Sequence, residues 1–181
     1  MEENIFSGPA FSQKVREIID MLWPESDRGC VLVASSMIEE GLLELISSFL
    51  LPPTNSKDEL FHGPAAPLSS LESRIAMAYR LGLITKSVAK SLGVFRKLRN
   101  EFAHRIETVN FDSPSALNRL NEIYRLFPEL SDYLDDIGKR TDNHPLPTRL
   151  KFIMFFSSNI AAIKAVKTEV VPITPLEETK I

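Results

Sequence analysis

The segment GCVLVASSMIEEGLLELISSFLLPP, residues 29–53, decides the fold. Val31, Ile38, Leu42, Leu45, Ile46 and Phe49 recur at helical intervals and form one broad apolar arc, a pattern that a strand, with its two-residue period, would scatter over both faces. Glu25, Ser26 and Asp27 supply polar starting residues, and Pro52 with Pro53 stops the segment because proline has no N–H to donate. This reads as the central helix. Before it, Pro9 to Trp23 places Phe11, Val15, Ile18, Ile19 and Leu22 on one face and is closed by Pro24, a first amphipathic helix. After it, the Pro-, Ser-, Asp- and Gly-rich stretch from Pro52 to Pro67 reads as a surface loop.

Further along, Ser69 and Ser70 can cap a helix through Leu71, Ile75, Ala78 and Leu81, ended by Gly82. Thr85 can cap another, over Val88, Leu92, Phe95, Leu98 and Phe102 to a turn after Ile106. Ser113 and Pro114 open a segment carrying Leu117, Leu120, Ile123, Tyr124 and Phe127. A short acidic helix is expected over Ser131 to Ile137, then a loop, KRTDNHPLP. From Thr148 to about Val170, Phe152, Ile153, Phe155, Phe156, Ile160 and Ile163 surround the axis, as in a helix buried on several sides; it is either central or a homodimer interface. No run alternates as a strand does. The expectation is an all-α, single-domain bundle of about six to seven helices over residues 1–170, with a mobile tail over 171–181.

At 181 residues and 44% hydrophobic composition the chain supports one substantial core. A net charge of -3 lacks the Lys and Arg excess that drives binding to nucleic-acid phosphates, so DNA or RNA contact would need a local basic patch. The lone Cys30 excludes an intrachain disulfide. MEENIFSGPAF has no signal-peptide pattern, and no apolar run is long enough to span a bilayer, so a cytoplasmic location is expected. His62, His104 and His144 lie in different segments, and no glycine loop carries the lysine of a phosphate cradle. Neither a metal nor a nucleotide cofactor is expected.

Two arginines break the apolar stripes. Arg99 falls among Val88, Leu92, Phe95 and Phe102, and Arg74 falls between Ala78 and Leu81. A guanidinium held among apolar side chains needs a partner, unless its stem snorkels to water. Glu39, at the edge of the central helix's arc, is the best candidate, which predicts a polar network of Glu39, Arg74 and Arg99. Asn100 and His104, four residues apart, share the other face of the Arg99 helix.

Two segments carry a family resemblance. GPAAPLSSLESRIAMAYRLGLI, residues 63–84, and FRKLRNEFAHRIETVNF, residues 95–111, resemble the paired hallmarks of the mannitol operon repressor family, a glycine–proline loop leading into SxRIxxAYxLGLI and an RNxFAH helix. The order of the remaining helices suits that family along nearly the whole chain. The resemblance implies a bacterial regulator of sugar-alcohol operon expression. Because no exposed helix presents the basic and amide side chains of a DNA reader, action through a protein partner or self-association is expected, rather than operator reading. RNxFAH also resembles a motif of the HEPN superfamily, some of whose helical domains are metal-independent endoribonucleases. Carried over by position, Arg99 would hold the scissile phosphate, Asn100 would position the substrate and His104 would move protons, so RNA is the partner under that alternative.

Overall fold

In a computed structural model, residues 5–104, 109–142 and 144–176 are described. They form seven helices and no strand: α1 (Gly8–Leu22), α2 (Asp27–Phe49), α3 (Leu71–Arg80), α4 (Lys86–His104), α5 (Pro114–Tyr124), α6 (Pro128–Asp142) and α7 (Thr148–Val166), the last followed by a 3-10 turn, Lys167–Glu169. Ile106, where the chain was expected to turn, lies outside the described residues.

Local chemistry sets most of these boundaries. Ser26 begins α2, its hydroxyl accepting from Gly29 N at 3.1 Å. Ser70 and Ser73 begin α3 as a reciprocal capping box, which satisfies two groups that a helix start otherwise leaves open. Gly82, at φ 75°, ends the turn after α3 in the left-handed region that glycine adopts without strain.

α2 is central, packing against α1, α3, α4 and α7. α7 shares the core with it: α7 packs against α1, α2 and α6, and Phe152, Ile153, Phe155, Phe156 and Ile160 are all but inaccessible. Phe152 sits 4.5 Å, ring centre to ring centre, from both Phe111 and Phe156, and Phe95 sits 4.6 Å from Phe156. Such offset rings add about 0.5–1.5 kcal/mol per pair beyond their burial. The apolar circumference that admitted a dimer interface is thus used up inside the monomer. α2 lies close against α7, where a Cβ on Gly41 would stand 3.1 Å from Ile163 Cγ2.

Two expectations are corrected. The acidic helix is longer at both ends, and its final turns include Lys139, Arg140 and Thr141, which read as loop. The cause is Gly138: it is buried, and a Cβ there would lie 2.7 Å from His144 O and from Leu146 N. It marks where the returning chain crosses the helix, not where the helix stops. The final α-helix ends at Val166, short of Val170. Beyond the 3-10 turn the chain continues to 176 without regular secondary structure, with Ile173 N donating to Phe49 O at 2.9 Å.

Candidate functional site: a cleft between α3 and α4

The two anomalous arginines occupy different surroundings. Arg74 is 9% exposed. Its Nε donates to Leu68 O at 2.8 Å and its Nη1 to the main-chain carbonyl of Glu39 at 2.9 Å, while its guanidinium lies 5.8 Å from the centre of the Phe61 ring. The group that answers this cation is therefore carbonyl rather than carboxylate. The Glu39 carboxylate instead accepts from Ser35 Oγ at 3.2 Å, and among the described residues no ion pair joins it to Arg74 or Arg99. The physical reason lies in the loop: Leu68 O precedes α3 and has no helical donor of its own, so a rigid guanidinium fork can tie the loop to α2.

Arg99 is only partly buried. Its Nη1 donates to Asn100 Oδ1 at 3.3 Å, while its Nε is shut away from solvent without a partner. One helical turn earlier, Arg96 forks Glu72, with contacts of 2.8 and 3.1 Å that join α4 to α3. Glu39, Ser69, Ser70, Leu71, Glu72, Arg96, Arg99 and Asn100 together enclose a shallow cleft of about 260 Å³. The capped first turn of α3 forms one wall. Two arginines and two glutamates line the cleft, so its formal charges balance.

His104 does not line this cleft. It is exposed at the last turn of α4, so Glu39, Arg99 and Asn100 meet in one place while the histidine stands apart. Arg105 lies outside the described residues. The Arg96–Glu72 pair escaped the sequence reading because it spans 24 residues and depends on how α3 crosses α4.

Other polar groups serve the frame. Arg149 of α7 pairs with Asp27 at 2.8 Å and donates to the carbonyls of Trp23 and Glu25, while the second oxygen of Asp27 accepts from Phe111 N at 3.0 Å. This hub joins the α1–α2 corner to α7. Lys151 Nζ lies 2.6 Å from Asp135 and 4.8 Å from the centre of the Tyr124 ring, and the Tyr124 hydroxyl is buried without a partner. Burial, with Asp135 beside it, holds that phenol far above its ordinary range. Burial likewise raises the Cys30 thiol, which donates to Leu22 O at 3.2 Å. A cavity of about 720 Å³ lies under the loop of residues 50–67 and includes His62. Among the described residues no three His, Cys, Asp or Glu side chains cluster as a metal site requires, and no helix is long and apolar enough to cross a membrane.

No family model and no curated protein matches the sequence. Among solved structures, a chain of the X-ray structure of the MtlR–HPr complex from Escherichia coli is similar, with a TM-score of 0.60, 16% identity, and coverage of 87% of this chain and 99% of that one. The seven-helix arrangement is therefore an MtlR-like fold, held along most of this chain at an identity that speaks to architecture alone.

Proposed function

We propose that this protein is a transcriptional regulator of the mannitol operon repressor type that works by engaging a protein partner rather than by reading DNA. The observation that carries the reading is the disposition of α4, the helix with the strongest basic character. Its apolar side packs against α2, α3 and α5. Arg96 is committed to Glu72 and Arg99 is half-sunk beside the α3 wall, so neither guanidinium of α4 projects into solvent as a base-reading arginine does, and Lys86, Lys90 and Lys97 are the cations it exposes. The likeness to a chain solved in complex with HPr adds support for a protein as the partner. Titration calorimetry with HPr, alongside a gel-shift experiment with operator DNA at physiological salt, tests it. Saturable HPr binding without a DNA shift is the expected result; a specific shift by the chain alone defeats the reading.

A second reading keeps one observation on its side. Arg99 bonds directly to Asn100 in a cleft with room for an anion, as an endoribonuclease built on Arg99, Asn100 and His104 would require. In that case purified chain cleaves RNA in the presence of chelator, and His104→Ala, which alters an exposed side chain, abolishes cleavage without altering the melting temperature. Inactivity against varied RNAs rejects it.

A further inference from the structure

A separate cleft, of about 520 Å³, opens where α5 ends, α6 begins and α7 starts. Tyr124 lines it and is 6% exposed, yet its hydroxyl has no hydrogen-bond partner. A buried donor without an acceptor costs stability, and the core has no use for this one: the ring meets Phe155 edge-on at 4.9 Å, a contact that a phenylalanine would make as well. Beside it, Lys151 Nζ stands 2.6 Å from Asp135 Oδ1 and 4.8 Å from the centre of the Tyr124 ring. The Lys151 side chain is only 15% exposed. That pair engages one ammonium N–H and one carboxylate oxygen, and so leaves both further donors and a further acceptor at the same spot.

We propose that this cleft binds a small uncharged polyhydroxylated molecule, with adjacent hydroxyls bridging Lys151 and Asp135 and a further oxygen accepting from Tyr124. The inference goes beyond the protein-partner reading and does not depend on it. The lining selects the chemistry by what it rejects. Arg125 and Lys151 face Asp132 and Asp135, so the formal charges balance and neither an anion nor a cation is drawn in. Pro128 is the one lining side chain without a polar atom, so an apolar occupant would strand the donors and acceptors around it. A hydroxyl both donates and accepts. Two neighbouring ones match a Lys–Asp pair, the first accepting from Nζ and the second donating to the free carboxylate oxygen, while Asn121 and Ser131 offer the same dual character along the wall. The volume suits a small molecule.

The test is amide NMR titration of the full chain with erythritol, xylitol, sorbitol, ribose and glucose, with glutamine as a zwitterion and inorganic phosphate as an anion for contrast. At least one of the uncharged probes is expected to give saturable shifts at the amides neighbouring Tyr124, Asp135 and Lys151, with an affinity that does not change between low and physiological salt. Tyr124→Phe is expected to weaken that binding about fivefold or more while its melting temperature stays equal or rises, a split that a purely structural tyrosine would not give. Asp135→Asn is expected to weaken it about tenfold; should that variant fail to fold, Tyr124→Phe decides alone. Shifts that grow linearly without saturating, equal binding by the wild type and Tyr124→Phe, or tighter binding of glutamine or phosphate than of every uncharged probe would each overturn the proposal.

Discussion

Arg74 and Arg99 both interrupt apolar stripes, but the structure assigns them opposite consequences for stability, and the substitution of each by Met measures the difference. Arg74→Met keeps the linear stem and removes two short charge-assisted hydrogen bonds, 2.8 Å to Leu68 O and 2.9 Å to Glu39 O. Bonds of this class contribute roughly 1.5–3 kcal/mol each. The gross loss is offset in part because a charge no longer has to be held out of water. The carbonyl of Glu39 remains inside α2, whereas that of Leu68 has no helix to return to, and an orphaned buried acceptor costs about 1–3 kcal/mol. The net destabilisation expected is about 2–3 kcal/mol, which for a chain of this size lowers the melting temperature by about 5–10 °C. Arg99→Met removes only the 3.3 Å contact with Asn100 and relieves a buried Nε that has no partner. It is expected to change stability by no more than about 0.5 kcal/mol in either direction. Urea unfolding of both variants, followed by far-ultraviolet circular dichroism, provides the comparison. Equal losses, or an Arg74→Met protein as stable as the wild type, would refute the bracing role assigned to Arg74.

Further outcomes follow from the core. Gly138→Ala is expected to destabilise by about 2 kcal/mol or more, since the new methyl meets the main chain of His144 and Leu146 at 2.7 Å; Gly93→Ala, with nothing within 4 Å of its new Cβ, is expected to stabilise α4 by about 0.5–1 kcal/mol. Chemical denaturation of the pair checks the contrast, and a destabilising Gly93→Ala would contradict it. Asp27→Ala removes the 2.8 Å pair with Arg149 and the acceptor for Phe111 N, and a loss of about 2–3 kcal/mol in melting experiments is expected. Tyr124→Phe deletes a buried hydroxyl that bonds to nothing, so it is expected to be neutral or up to about 1 kcal/mol stabilising. Its pH profile is diagnostic. Folding raises the Cys30 and Tyr124 acids above their ordinary values of 9.0 and 10.0, so the unfolded chain releases these protons first. The contribution of the two groups is whole below about pH 9 and declines as pH rises through that range and beyond. Tyr124→Phe should lose stability less steeply above pH 10 than the wild type; parallel profiles would reject the assignment.

What the amino-acid sequence determines by itself is what acts over one or two helical turns. Ser26, the Ser70–Ser73 box, Gly82 and the Pro52–Pro53 stop set helix limits through hydrogen bonds to their own neighbours, and the apolar arcs of α2 and α7 identify the elements that must be buried. Arg74 is legible as an inward cation for the same reason. Only the tertiary structure decides that the apolar circumference of α7 is buried within the monomer, that the group answering Arg74 is the carbonyl of Glu39 and not its carboxylate, that Gly138 admits a crossing segment, and that Arg99 and Asn100 share a cleft from which His104 is absent. A shift of one ångström between helices leaves their apolar periodicity unchanged but breaks or makes a hydrogen bond. Such offsets are settled by the packing of the whole aromatic core, to which residues far apart in the chain contribute together.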